Sequence, residues 1–178
     1  ATTEIYTLSL HDAFPIYAVM QAENLLKNET GVTIVICGDT PLITSESLQK
    51  LLDLHISTQA AATILTAKLD NPQGYGRIIR DREGAVVRIV EQKDCSPEED
   101  KVQEINTATY CFDNQKLFAA LKQITNDNAQ NEYYLTDVIG VLKAQGERIA
   151  ASCLEDPDEA SGVNDRAQLA EAERIMRE

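Results

Sequence analysis

The chain has 178 residues, 43% hydrophobic and 25% charged, enough for one cored domain or most of a larger one. Its net charge of −13 argues against a nucleic-acid partner, because phosphate backbones are held by clustered Lys and Arg and no such cluster exists here. Tryptophan is absent and aromatics make up 5%, so aliphatic side chains must build the core.

Residues 6–16 read YTLSLHDAFPI, which resembles the conceptual translation of a common sequencing adapter. Residues 1–17 are therefore set apart as a non-native-looking segment, and residues 18–178 as a partial domain. His11 and Asp12 receive no functional weight for that reason. Residues 18–26 then place Val19, Ala22, Leu25 and Leu26 at helical spacing. Residues 32–37 (VTIVIC) form a β-branched run suited to a strand covered on both faces. The run stops at Gly38-Asp39. Thr44 or Ser45 can cap the next helix, which has Glu46 in its first turn and Leu48, Leu51, Leu52 and His55 on one face. His55 reads as a helix-end residue rather than a ligand.

Residues 62–69 predict a second strand, and Gly74-Tyr75-Gly76 a loop. Residues 77–80 and 86–90 bracket Asp81-Arg82-Glu83-Gly84 as a hairpin. Residues 107–112 predict a strand, 116–124 a helix, 126–131 a polar loop and 135–145 a helix with Val138, Ile139, Val141 and Leu142 inward. Residues 148–153 predict a short strand and 166–176 an Ala-rich final helix. Strands alternating with helices imply an α/β domain with a mostly parallel sheet.

Cys37, Cys95, Cys111 and Cys153 are far apart and form no C-x-x-C pair. A zinc site or disulfide framework is not expected, and the cysteines read as reduced thiols of a cytoplasmic protein. No apolar run approaches the ~20 residues that span a bilayer, so no membrane partner is expected. No signal peptide is evident.

Five segments could carry chemistry. Cys37-Gly38-Asp39-Thr40 puts a carboxylate at the carboxyl end of a strand, where open α/β sheets bind ligands, and Asp39 is the hard oxygen donor that Mg²⁺ prefers. From the dipeptide alone, a turn aspartate capping the next helix is the favoured reading. The NPQGYGR segment around Gly76 offers backbone donors, or is a plain turn. Glu91 and Asn106, near strand ends, suit sugar hydroxyls, or belong to a solvated edge. Thr136 sits near a helix N-terminus, a favourable place for phosphate, or merely caps it. Asn164, before the last helix, can offer an amide oxygen to a metal or cap that helix.

In order and spacing, CGDTPLI, NPQGYGRI, VEQKD, EINT, NDNAQNEYYLTD and GVNDRAQLAEAE resemble the uridylyltransferase domain of the bacterial bifunctional enzymes that make UDP-N-acetylglucosamine. The resemblance runs from about Ala18 to the end. It implies a Rossmann-like nucleotide-diphospho-sugar transferase fold that lacks its N-terminal part. It also implies the transfer of UMP from UTP to N-acetylglucosamine 1-phosphate, releasing pyrophosphate. By position, Asp39 and Asn164 would hold Mg²⁺. Cys37, where the family commonly has tyrosine, and Gly38 would line the uridine side. Gly76, Glu91 and Asn106 would hold the amino sugar, and Thr136 would lie near the phosphates. The family's Gly-rich loop and following lysine are not in this sequence, so weak UTP binding and negligible turnover are expected. An exposed apolar edge beside residues 32–37 is expected as well. Ala108 and Asn131 stand where the family has glycine. The second, acetyltransferase activity and the homo-oligomer built through that domain would belong to the parent protein. The alternatives are a pyrophosphorylase for another sugar 1-phosphate and a non-catalytic sugar-nucleotide-binding module.

Overall fold

The structure, a computed structural model, describes residues 15–177; the expectations for residues 1–14, His11 and Asp12 included, lie outside the described residues. Twelve regular helices and strands follow in chain order. They are α1 (Pro15–Gln21), α2 (Glu23–Leu26), β1 (Val32–Val35), α3 (Ser45–Thr58), β2 (Ala62–Lys68), β3 (Arg77–Arg80), β4 (Val86–Val90), β5 (Glu104–Asp113), α4 (Asn114–Leu121), α5 (Asp137–Ala144), β6 (Ile149–Cys153) and α6 (Arg166–Met176). Pro15 opens α1, where its missing N–H has no intrahelical partner to lose. Ile16 is fully buried, while Pro15 and Tyr17 are exposed.

One sheet runs β4-β3-β5-β2-β6, with β1 also paired to β5. Side chains alternate across it. Ile64, Tyr110 and Phe112 join a core with Leu117, Phe118, Val138, Ile139 and Leu142 of α4 and α5. Leu65, Ala67, Ile105 and Cys111 join a second core with Leu51 of α3. Two cores separated by a period-2 sheet are the three layers of an α/β fold. No helix among the described residues is long and apolar enough to cross a membrane.

The Rossmann-like α/β class stands, but the sheet is mixed rather than mostly parallel. Among the described strands only β2 and β6 pair in parallel, through a connection long enough to hold α4 and α5. β5 runs antiparallel to β1, β2 and β3, and β3–β4 is a hairpin. β5 is buried on both faces, so its side chains show the continuous apolar run of a parallel strand. Direction therefore cannot be read from its pattern.

β1 also differs from expectation. It is not covered on both faces: Val32, Ile34 and the following Ile36 are 38%, 37% and 49% exposed. Its pairing is with β5 alone among the described strands.

β5 departs from a regular ladder at one place. Ile64 faces Tyr110 and Thr66 faces Asn106, so residues 107–109 form a bulge. At its centre Ala108 has φ +57°, in the left-handed region. The same is true of Asn131 at φ +54°.

Candidate active site

The bulge, the strand ends and two helix-preceding loops converge. Cys37, Asp39, Gly76, Glu91, Asn106, Thr136 and Asn164 all line one cleft of about 440 Å³. That volume lies in the range of small-molecule sites. Gly38 is not part of the wall. It is exposed, with open space where a Cβ would project, in a turn closed by Thr40 Oγ1 donating to the Cys37 carbonyl at 3.0 Å.

None of Asp39, Asn164 and Thr136 caps a helix. Asp39 does not cap α3; Thr44 does, accepting from the Ser47 N–H at 3.2 Å. Asn164 does not cap α6. Asp165 does, accepting from the Gln168 N–H at 2.8 Å, while Gln168 Oε1 accepts from the N–H groups of Asn164 and Asp165. Thr136 occupies the position before α5 but makes no capping bond; its hydroxyl donates to Glu91 Oε1 at 3.0 Å. The Asp39 and Asn164 side chains are therefore left to the cleft, and the Thr136 hydroxyl proton is committed to Glu91.

Asp39 and Asn164 belong to segments that are joined directly. The Val163 N–H donates to the Asp39 carbonyl at 2.7 Å. A Cβ on Gly162 would lie 3.6 Å from Asn164 Nδ2 and 3.9 Å from that carbonyl. One carboxylate and one carboxamide on one cleft are oxygen donors of the kind Mg²⁺ accepts.

Gly76, Glu91 and Asn106 meet on the bulge side. The Gly76 carbonyl accepts from the Asn106 N–H at 2.9 Å. Glu91 Oε2 would lie 3.5 Å from a Cβ at position 76, and Ile89 Cγ2 only 3.2 Å from it, so glycine lets β3 and β4 close over the site. Asn106 is held at both ends: its Oδ1 accepts from the Ala108 N–H at 3.1 Å and its Nδ2 donates to Tyr110 Oη at 2.7 Å.

Partly buried carboxyl groups at and beside the cleft set its electrostatics. Burial pushes the Glu91 carboxyl up, against the pull of the Thr136 hydroxyl, and Asp94 repels its charge. Burial, with Glu91 and Asp94 nearby, pushes Asp137 up to about 6. Burial and Asp39 push the Cys37 thiol up to about 11, so it is a neutral wall group rather than a nucleophile. No Lys, Arg or His lines the cleft among the described residues. An anionic phosphate there needs a cation from elsewhere.

The sequence reading missed several wall residues. Gln73, Tyr75, Tyr133 and Tyr134 lie inside motifs it quoted, and Gln168 completes the capping box. Tyr110 also lines the cleft. Asn106 and Tyr110 share a face because their partners Thr66 and Ile64 are two residues apart on β2, a relation across the bulge that strand alternation in β5 alone does not supply. Cys111 and His55 are placed away from the cleft, and His55 Nδ1 lies 2.9 Å from Thr63 Oγ1 in the interior.

Residues 15–157 match the nucleotidyl transferase family. The bifunctional protein GlmU of Geobacillus sp. (strain WCH70) is 60% identical over 162 residues, which are 91% of this chain and 35% of that protein. The GlmU proteins of Oceanobacillus iheyensis and Streptococcus gordonii are 58% and 59% identical over 161 residues, again 35% of their length. The chain thus spans about a third of the length of the curated relatives it matches. A Bacillus anthracis protein assigned as a glucose-1-phosphate thymidylyltransferase shares the fold, with a TM-score of 0.67 at 21% identity over 92% of this chain and 61% of that one. On this match across most of its length, the chain belongs to the nucleotidyl transferase family.

Proposed function

We propose that the chain carries the sugar side and the metal-ligand pair of a uridylyltransferase that converts UTP and N-acetylglucosamine 1-phosphate into UDP-N-acetylglucosamine and pyrophosphate. The observation that carries this reading is the convergence on one cleft of Asp39, Gly76, Glu91, Asn106, Thr136 and Asn164, residues separated by up to 125 positions (164 minus 39). The GlmU relatives and the nucleotidyl transferase match support sugar-phosphate nucleotidyl transfer, and the choice of substrates follows the resemblance of the sequence motifs.

In this reaction an oxygen of the sugar phosphate bonds to the α-phosphorus of UTP, and the bond from that phosphorus to the pyrophosphate oxygen breaks. No protein nucleophile is required, and the neutral Cys37 thiol agrees with that. Catalysis is positioning plus neutralisation of phosphoryl charge. Asp39 and Asn164 would hold Mg²⁺, which supplies the positive charge that the wall lacks. Glu91, aligned by the Thr136 hydroxyl, accepts from sugar hydroxyls, and the backbone at Gly76 lets the ring approach closely. Thr136 keeps its own oxygen lone pairs free for a donor group.

Calorimetry on this chain tests the reading. UDP-N-acetylglucosamine is expected to bind, more tightly with Mg²⁺ than with chelator, and more tightly than UDP-glucose. The absence of binding in both conditions would refute the assignment. Equal affinity for the two sugar nucleotides would move it to another sugar 1-phosphate.

A further inference from the structure

Tyr110 is a part of the cleft wall that the chemistry above leaves unused. Its ring is 2% exposed and packs on Phe112 with centroids 5.3 Å apart. Its hydroxyl sits beside Asn106 at the cleft. The bulge sets how that hydroxyl is used. Left-handed backbone at Ala108 lets its N–H reach Asn106 Oδ1, which orients the carboxamide so that Nδ2 points at Tyr110 Oη. An amide nitrogen only donates, so the phenol oxygen is the acceptor in that bond and keeps its own proton to give. Among the described residues no hydrogen bond takes up that proton. Glu91 has its Oε1 engaged by Thr136, and its Oε2 lies toward Gly76 without a hydrogen bond to Tyr110. A buried phenol O–H seldom lacks an acceptor, and the cleft is the side from which one can arrive.

We propose that Tyr110 contacts the substrate, its hydroxyl donating to an oxygen of the amino sugar held beside Gly76, Glu91 and Asn106. This rests on the function proposed above and adds a determinant to it. The donor selects for an acceptor oxygen at one ring position, so it discriminates among sugar phosphates rather than raising affinity for all of them.

The test is a cycle of Tyr110→Phe against N-acetylglucosamine 1-phosphate and analogues each lacking one hydroxyl or the acetyl group, read by calorimetry on this chain. One hydrogen bond corresponds to roughly tenfold in affinity. Tyr110→Phe is expected to weaken the parent ligand about tenfold, and the loss is expected to vanish against one analogue. An unchanged affinity overturns the proposal, because a water then serves the hydroxyl. A uniform loss across the whole series also overturns it, because the role is then only structural. If the unsubstituted chain binds none of the series, the proposed function falls and this inference with it, a result distinct from binding that ignores the substitution. Should the variant not fold, ring-labelled tyrosine in the unsubstituted chain serves instead. The Tyr110 Cζ resonance is expected to move on saturation with N-acetylglucosamine 1-phosphate, and a resonance that stays put overturns the proposal.

Discussion

Ala108 shows how one backbone angle shapes the site. A left-handed alanine is strained by about 1–2 kcal/mol, and glycine in its place loses roughly 0.5–1 kcal/mol more chain entropy on folding. The strain exceeds the entropy, so Ala108→Gly is expected to stabilise the fold by about 0.5–1 kcal/mol in denaturant unfolding. Asn131→Gly is expected to change stability less, because asparagine tolerates the left-handed region. A destabilised Ala108→Gly variant would show that the methyl group's contacts outweigh the strain. Asp137 offers a second residue-scale prediction. Its carboxyl is pushed from the usual 3.8 up to about 6, by burial first and by Glu91 and Asp94 next. The folded state therefore binds the proton more tightly than the unfolded one, and this group's contribution to stability is lost as pH rises from about 4 through 6. Asp137→Asn removes that loss. Its melting temperature is expected to exceed that of the parent chain at pH 7.5 and to converge with it near pH 4. A constant difference across this range would place the effect elsewhere.

At the scale of elements, β1 and α6 make opposite cases. The bounds of α6, residues 166–176, were legible to the residue, but its reciprocal cap is Asp165 with Gln168 and not the Asn164 offered by the sequence. β1 was legible as a strand but not in its surroundings. Its β-branched run fits a buried strand, yet half its side chains are exposed and its partner among the described strands is β5 alone. An apolar strand edge invites pairing with another chain. Self-association that grows with concentration is therefore expected in sedimentation. Ile34→Lys is expected to reduce it while leaving unfolding free energy within about 0.5 kcal/mol. Association untouched by this substitution would move the contact to another surface.

At the scale of the molecule, the site exists because one long strand serves three neighbours. β5 pairs with β2 along one edge and with β1 and β3 along the other, which brings the ends of β1, β3 and β4 around the bulge at Ala108. By itself the sequence determined most element positions, because periodicity and caps are local: the β3–β4 hairpin and α6 follow from side-chain spacing alone. It also offered the candidate residues, each with a bland alternative that local chemistry could not remove. Only the tertiary structure removed the capping alternatives. Thr44 and Asp165 take the caps, which leaves the side chains of Asp39 and Asn164 out of them, while the Thr136 hydroxyl is bonded to Glu91 instead of capping α5. Strand direction, the mixed sheet and the presence of Tyr110 in the cleft depend on pairings between residues dozens of positions apart. No pattern within a single segment encodes those, because burial on both faces looks the same whichever way the neighbouring strand runs.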